Sequence, residues 1–581
     1  MNKKFLKFLL VVFTVSIWGC ETVDLNQTEN PSTIGAQFLE PKFAFNYVQL
    51  QLPTFVDESN SFTQTIMRQM AMIGGNTYNN AYAPVNFNSQ WSTAYNIINA
   101  VKFMEPKALQ EKRYLALGAS KIIRCYVLMT LVDMYGNVPY TQAALGNANI
   151  TPRYDDDEFV YEAILNELDE AIVTLGNEDK NSDNQDLYYG GSATKWIKLA
   201  NTLKLKMYNN CNLLSTIGAK NVANEVNAII AEDKIINTKE DDFAFQYGNS
   251  RFTPNTRHPL YNDQYELNGG SYIANYMMWT VTSEKGNPST FPNTITDPGD
   301  PRANYYFVRQ NSASLSNASS TIIPGKNKTR PDHYNDLKYR SFYDQSIRTP
   351  FTVSNWSLTS QTGMPGDGFL GRDHGDNSGI PQDSDLRAVA GTYPIGGVYN
   401  TSGGSVQSSG TKGKQGAGIM PIMLSSFVHF IKSELMLKGI ISGNAQDELD
   451  LAVSQSIDKT VNLFSDYPVL SANATAALPG KITRYRDFIG NQYENLDPDK
   501  RLELVIKEYY IAAWGNGIEP YNNYRRTGYP SNLQPTLEPV SGPFYNCAFY
   551  SGSSVNNNPN TPVNDRTRKV FWAAPNVVEL N

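Results

Sequence analysis

Apolar residues recur at three- and four-residue spacing along much of the chain, which is the pattern of amphipathic helices. In 155–176 they fall on one helix face, acidic residues occupy the first turn, and Gly176 supplies the stop. The stretch 190–210 repeats the pattern behind Ser192, a good N-cap. The same spacing predicts helices over 91–105, 113–135, 221–231, 421–439, 446–461 and 497–517. The segment 113–135 is apolar nearly all round, so we expect it at the centre of the protein.

Between about 243 and 420 the helical pattern gives way to Gly, Pro, Asn, Ser and aromatic residues. Such a long irregular stretch within a compact domain is typical of a functional region. The chain is therefore predicted to be mainly α, with one domain over 37–581. Its helical scaffold spans about 37–242 and 421–530 and carries a large irregular, loop-rich ligand-binding region. The strict spacing of tetratricopeptide repeats is not kept, whereas degenerate helix pairs stay possible.

The chain begins with a basic segment, an apolar run of eleven residues and then Gly19-Cys20. This run has the length of the apolar region of a signal peptide. A bilayer-spanning helix needs about 20 residues, so the run is too short to be one. A small residue before Cys predicts cleavage there, after which Cys20 carries acyl chains such as palmitate. An ordinary cleaved signal with a chance cysteine is the alternative. We expect a lipoprotein signal over 1–19 and a polar tether over 20–36.

The formal net charge of −7 opposes a general attraction to nucleic acid or anionic lipid. We therefore predict no nucleic-acid partner. The cysteines after Cys20 are Cys125, Cys211 and Cys547, which lie far apart and are odd in number. This favours structural thiols over a disulfide framework or a metal site.

The sequence motifs of zinc proteases, serine hydrolases, P-loop nucleotide binders and CxxC redox proteins are absent. We predict no catalytic residue and no cofactor. An acidic, Gly-rich loop offers Asp373, Asp376 and Asn377 as a calcium candidate, but it lacks the calcium-loop spacing, which favours a hydrogen-bonded loop without metal. His258 stands between Pro and aromatic neighbours and is predicted to be structural.

Aromatic residues make up 12% of the chain, and many stand among Asn, Gly and Ser outside helical stripes. Rigid rings offer broad faces to sugar rings or extended peptide, while amides and hydroxyls fix the orientation of the ligand. The candidate segments are 74–91, 269–280 and 352–359. Four rings from these segments are predicted to bind ligand: Tyr78, Tyr82, Trp279 and Trp356. Packing in the core is the alternative for each ring.

Five strings, in this order along the chain, resemble one family: LVDMYGNVPYTQA (131–143), GGSATKWIKLANTLKLKMY (190–208), NTRHPLY (255–261), DPRANYYFVRQ (300–310) and EPYNNYRRTGYP (519–530). The chain resembles a SusD/RagB-type nutrient-binding outer-membrane lipoprotein of the Bacteroidota. The resemblance implies tetratricopeptide-like helix pairs that support an irregular ligand-binding face. It also implies a lipid-anchored protein at the cell exterior that delivers oligosaccharide, or peptide, to a SusC-like TonB-dependent transporter.

The family motifs around Asp133, Tyr135 and Gly136, and around Arg525-Arg526, resemble scaffold elements, namely buried turns and ion pairs. The aromatic residues that bind ligand differ between members, so the ligand of this chain stays open. Two other functions also stay open. Glycoside hydrolysis needs only two suitably placed carboxylates, so a surface glycan-processing hydrolase is one alternative, and a helical adhesin is the other.

Overall fold

The computed structural model describes residues 40–71, 82–180, 185–266, 271–282, 284–285, 299–308, 371–372, 374–375, 387–395, 414–463, 465, 472–534, 536 and 543–575. The helices of these residues that are six or more residues long are α1 (Pro41–Ile66), α2 (Asn88–Glu111), α3 (Tyr114–Tyr135), α4 (Asp157–Leu175), α5 (Ala193–Asn210), α6 (Val222–Glu232), α7 (Asn275–Thr282), α8 (Ser425–Leu437), α9 (Ala445–Asn462), α10 (Ala472–Asn495), α11 (Pro498–Ala512), α12 (Ile518–Thr527) and α13 (Gly552–Asn557). Shorter helical turns are Pro84–Phe87, Gly146–Ala148, Lys239–Asp241, Pro259–Tyr261, Asn262–Glu266, Ala303–Tyr306 and Thr392–Ile395.

The strands of the described residues are short and pair in twos. They are β1 (Met70–Ala71), β2 (Thr216–Ile217), β3 (Lys220–Asn221), β4 (Phe243–Gln246), β5 (Tyr272–Ile273), β6 (Phe307–Val308), β7 (Val389–Ala390) and β8 (Ile419–Met423). The antiparallel pairs are β1 with β5, β2 with β3, β4 with β8 and β6 with β7. The predicted mainly α fold is confirmed.

Consecutive helices form the scaffold. From α1 to α6 each helix packs against the next, α8 packs against α9 and α11, and α12 packs against α1 and α5. The C-terminal helices therefore close onto the N-terminal ones, as expected for helix pairs around one core. By length and composition, α3 is the one helix of the described residues that can cross a bilayer, but it is mostly buried inside the protein. This confirms its predicted central position.

Local sequence explains where the scaffold helices begin. The Asp156 carboxylate accepts a hydrogen bond from the Glu158 amide at the start of α4, and the Ser192 hydroxyl accepts one from the Lys195 amide at the start of α5. Each side chain satisfies an amide that the first helical turn leaves without an intrahelical acceptor. The predicted boundaries of both helices are confirmed to within three residues.

The Asp133 carboxylate joins four parts of the chain. The residue is fully buried in α3, and its Oδ1 accepts hydrogen bonds from the Tyr161 hydroxyl at 2.6 Å and from Trp572 Nε1 at 3.1 Å. Its Oδ2 accepts a hydrogen bond from Asn522 Nδ2 at 2.7 Å. Gly136, which follows α3, has φ +71°, a conformation that favours glycine. The predicted scaffold role of this motif is confirmed.

A buried ion pair joins α8 to α12. Arg526 Nη2 lies 2.6 Å from Glu434 Oε2, and Arg526 Nε donates to Glu434 Oε1 at 2.9 Å. Burial opposes ionisation of Glu434, but the charges of Arg526 and Lys438 dominate and lower its pKa to about 2. The carboxylate is therefore charged at neutral pH. The predicted ion-pair role of the Arg525-Arg526 motif is confirmed for Arg526.

The three cysteines of the described residues are free and buried. Burial raises the pKa of the Cys125, Cys211 and Cys547 thiols. Neutral, buried thiols behave as small apolar side chains and react slowly. The prediction of structural thiols is confirmed.

Candidate ligand-binding cleft

A cleft of about 300 Å³ lies between the C-terminal half of α1 and the segment 258–263. The α1 residues that line this cleft are Asp57, Asn60, Ser61, Gln64 and Thr65. Their spacing places them on one face of the helix. The opposite wall includes His258, Asp263, Met420 and Gly515. We call this site the α1 cleft.

Part of the polar lining holds the cleft together. Asn60 Nδ2 donates to the Gly515 carbonyl at 2.9 Å, and Asn60 Oδ1 accepts from the Gly517 amide at 2.9 Å. The Asn60 carboxamide therefore ties α1 to the turn before α12. The Thr65 hydroxyl donates to a carbonyl within α1. Among the described residues, the Gln64 carboxamide has no hydrogen-bond partner, so it can serve a ligand.

His258 is held rigidly in the wall of the cleft. Its Nδ1 accepts a hydrogen bond from the Leu260 amide at 3.2 Å, and its ring packs edge-on against Tyr247 at 4.7 Å. The side chain is 2% exposed, and burial lowers its pKa to about 3, so the ring is neutral. Because Nδ1 accepts, Nε2 carries the proton. The packed position predicted for His258 from its Pro and aromatic neighbours is confirmed.

The Nε2–H of His258 has no hydrogen-bond partner among the described residues. Buried polar groups are normally paired with protein or water. A fixed donor therefore remains at the wall of the α1 cleft.

Two carboxyl groups, Asp57 and Asp263, line the same cleft from opposite sides. Burial, followed by the nearby charges of Glu58 and Asp263, raises the pKa of Asp57 to about 7. Asp263 Oδ2 is buried without a partner among the described residues. The cleft thus offers carboxyl oxygens that accept hydrogen bonds and, near neutral pH, a titrating proton on Asp57.

We expect Asp57→Asn to change how stability depends on pH. The pKa of this carboxyl is higher in the folded than in the unfolded chain, so the folded state holds more protons between about pH 4 and 7. The contribution of the Asp57 carboxyl to the free energy of unfolding is complete at low pH. This contribution is lost as pH rises through that window, by at most about 1.4 kcal/mol per pH unit.

Urea denaturation at several pH values between 5 and 8 measures this effect. Asp57→Asn should remove part of the decline and raise stability at pH 8 relative to the unchanged protein. Glu232→Gln is the matched control, because that carboxylate is largely exposed and lies 4.0 Å from the Lys234 ammonium. Identical pH profiles for the Asp57 variant and the unchanged protein would show that Asp57 titrates normally.

Of the four predicted rings, Tyr82 is the one whose side chain the structure describes. It is 2% exposed, and its ring centroid lies 5.4 Å from Phe62 and 4.5 Å from Tyr545. This position favours core packing. The backbone of Trp279 belongs to α7, but its side chain lies outside the described residues.

The remaining predicted residues lie outside the part of the chain that the structure describes: Cys20, Tyr78, Trp356, Asp373, Asp376 and Asn377. The binding roles of the four rings, the lipidation of Cys20 and the calcium candidate stay predictions. The α1 cleft is nevertheless next in sequence to two predicted segments. Ala71 lies shortly before the segment 74–91, and Ser271 belongs to the segment 269–280. Both residues line the cleft.

Two other cavities lie elsewhere on the scaffold. One, of about 260 Å³, is lined by Trp91 and Tyr95. Trp91 is surrounded by four rings and is 8% exposed, so it offers little free face to a ligand. The other is a groove of about 560 Å³ between α9 and α10, where Arg486 pairs with Asp450. The α1 cleft is the better candidate, because His258 and Asp263 present buried polar atoms without partners among the described residues.

The fold and the cleft define a class of protein, a helix-pair scaffold with a small polar cleft. Comparison with known families identifies the class further. One family model, described as "Starch-binding associating with outer membrane", matches residues 35–350, and a second, described as "Susd and RagB outer membrane lipoprotein", matches residues 400–548. The chain belongs to the SusD-like family of outer-membrane lipoproteins, which confirms the resemblance seen in the sequence.

Several solved structures share the fold of this chain. A SusD homolog from Bacteroides fragilis is 18% identical, with 90% of this chain and 98% of that chain covered and a TM-score of 0.60. A SusD/RagB family protein from Bacteroides thetaiotaomicron is 18% identical, with 92% and 99% covered and a TM-score of 0.61. A chitin-binding SusD homolog from Flavobacterium johnsoniae is 16% identical, with 92% and 97% covered and a TM-score of 0.58. No curated protein matches this chain.

Proposed function

We propose that this protein is a non-catalytic, lipid-anchored nutrient-binding protein that captures oligosaccharide at the cell surface. It then passes the ligand to a SusC-like TonB-dependent transporter in the outer membrane. Membership of a family described as starch-binding and associated with the outer membrane is the observation that carries the proposal. One structural relative is described as chitin-binding, which is consistent with a glycan ligand.

The chemistry of the α1 cleft suits this role. Sugar hydroxyls both donate and accept hydrogen bonds, and the cleft supplies carboxyl acceptors at Asp57 and Asp263 and a fixed donor at His258. Gln64 adds a carboxamide that both donates and accepts. A few convergent polar groups in a concave site are typical of ligand recognition. The aromatic segments next in sequence to the cleft, 74–91 and 269–280, are proposed to supply ring faces for stacking.

Purification of the anchored protein from detergent-solubilised outer membrane tests the proposed assembly. We expect a large β-barrel transporter to co-purify with the protein and to be identified by mass spectrometry. Purification of the protein without any such partner, under detergent conditions that keep other outer-membrane complexes intact, would contradict the proposed transfer to a transporter.

We expect Cys20→Ala to release the protein from the membrane without unfolding it. Acyl chains on Cys20 are proposed to be the only strong anchor, since two or more chains hold a protein firmly and net negative charge adds no attraction to anionic lipid. Fractionation after a high-salt wash measures the effect. Cys211→Ala is the matched control and should stay in the pellet, because Cys211 is a buried thiol. A Cys20 variant that stays in the pellet would contradict lipid anchoring through that residue.

A further inference from the structure

The lining of the α1 cleft is negatively charged. Asp57 and Asp263 line it, and none of its described lining residues is Lys or Arg. Glu58 follows Asp57 in α1, and its charge contributes to the raised pKa of Asp57. Carboxyl groups that crowd together in a partly buried site make one another harder to ionise. A cation placed between them would relieve this repulsion.

Acidic residues alone do not define a ligand, but the imidazole of His258 adds a second and independent observation. It is 98% buried, it lines the cleft, and its Nε2 has no partner among the described residues. Its position is fixed by the bond between Nδ1 and the Leu260 amide. An occupant of the cleft that supplies a hydrogen-bond acceptor to Nε2 would satisfy this buried donor.

We propose that the α1 cleft recognises the free amino group of an amino sugar, whose ammonium lies between Asp57 and Asp263 while a neighbouring sugar oxygen accepts a hydrogen bond from His258 Nε2. This inference rests on the proposed function, because it assumes that the cleft binds oligosaccharide. It adds the ligand class: oligosaccharides that carry unacetylated amino groups.

An amino sugar matches the cleft better than a neutral sugar or a lysine side chain does. An ammonium is a charged donor of three hydrogen bonds, and charge-assisted bonds to carboxylates are stronger than those from hydroxyls. A neutral sugar would leave the carboxylate charge uncompensated. A lysine ammonium stands at the end of an apolar stem and brings no oxygen beside it for His258 to meet.

The proposal links binding to pH. The titratable groups that face Asp57 are Glu58 on α1, Asp263 and the neutral His258 across the cleft, and Tyr247, whose own pKa responds to Asp57. Since the pKa of Asp57 is about 7, an ammonium that favours its charged form displaces a proton near neutral pH. Binding of an amino sugar as an ammonium should therefore release a proton from Asp57, and Asp57→Asn should remove this release.

Isothermal titration of the mature, detergent-purified protein tests the inference. The probes are tetramers of glucosamine, N-acetylglucosamine and glucose and a lysine tetrapeptide, at equal ionic strength. We expect the glucosamine tetramer to bind at least about tenfold more tightly than the other three at pH 7, a factor that corresponds to about 1.4 kcal/mol. Titrations in buffers of different ionisation enthalpy should show more proton release per ligand bound with the unchanged protein than with Asp57→Asn.

Variants locate the effect. Asp57→Asn and Asp263→Asn should each weaken binding of the glucosamine tetramer by about tenfold more than they weaken binding of the neutral tetramers. His258→Gln should weaken all sugars, and Glu232→Gln, an exposed carboxylate, should change nothing. Urea denaturation establishes that each variant is folded.

The outcomes separate the inference from the proposed function. Equal affinity for charged and neutral sugars, or a preference that survives both Asp variants, overturns the inference and leaves the proposed function standing. Tighter binding of the lysine peptide also overturns it. Failure to bind any of a broad range of oligosaccharides overturns the proposed function itself.

Discussion

Arg526→Met is expected to lower the free energy of unfolding by about 3–5 kcal/mol, because removing one partner of a buried ion pair leaves the other charge unpaired. Arg526 and Glu434 are at most 1% exposed, and two short contacts join them. Lys438, 3.3 Å from Glu434, compensates only part of the lost charge. Helix α12 also packs against α1, whose residues line the cleft. We therefore expect Arg526→Met to destabilise the α1 cleft as well.

The matched control is Arg486→Met, since the pair of Arg486 with Asp450 is similar in length but 38% and 46% exposed. Exposed pairs contribute about 0–1 kcal/mol. Urea denaturation of both variants at pH 7 compares them directly. A loss for Arg526→Met no larger than that for Arg486→Met would show that the buried pair does not hold α8 to α12.

Asp133→Ala is expected to lower the free energy of unfolding by about 3 kcal/mol or more. The change leaves the Tyr161 hydroxyl, Asn522 Nδ2 and Trp572 Nε1 buried without their shared acceptor, and each orphaned donor costs about 1–3 kcal/mol. Burial raises the pKa of Asp133, so the carboxyl is itself costly to bury, which offsets part of the loss.

Asp169→Ala serves as the control for Asp133→Ala. Asp169 is 45% exposed and pairs with Lys204 and Lys220, so its loss should cost about 1 kcal/mol or less. Urea denaturation again gives the comparison, and near-UV circular dichroism reports whether Trp572 keeps its environment. Equal losses for the two variants would mean that the Asp133 network adds no more stability than a surface pair.

The sequence predicted those helices whose signals are local. Helices α4 and α5 each have an apolar stripe and a side-chain cap, and α4 also has a glycine stop at Gly176. These features act within a few residues of one another. By contrast, α1 and α10 were not predicted. Each contains an internal proline, Pro53 and Pro479 respectively, which removes a backbone hydrogen bond and normally argues against a helix. Tertiary packing outweighs this cost.

The predicted helix over 421–439 was wrong at its start. Residues Ile419–Met423 form β8 and pair with β4, about 175 positions earlier in the chain, before α8 begins at Ser425. The apolar run suits a buried strand and a helix equally well. Whether such a run forms a strand depends on pairing with a distant segment. The periodicity of a single segment does not reveal that pairing.

The candidate cleft was missed for a similar reason. Asp57 and Asp263 are far apart in sequence, and only the packing of α1 against the 258–263 segment brings them to one cavity. The polar stripe at Asp57, Asn60 and Gln64 was the available signal, because polar residues on one face of a buried helix are unusual. Tyr82 shows the same limit for a single ring, since it stands among polar neighbours in sequence while its ring packs against other aromatic residues in the core.

The central claim is that this protein binds oligosaccharide without altering it. The most direct measurement is isothermal titration of the mature protein against a broad range of oligosaccharides, followed by mass spectrometry of the recovered ligand. We predict saturable binding of at least one oligosaccharide, loss of affinity in the doubly substituted Asp57→Asn/Asp263→Asn protein, and recovery of the ligand intact. Absence of binding across the whole range, or recovery of cleaved products at a steady rate, would contradict the account.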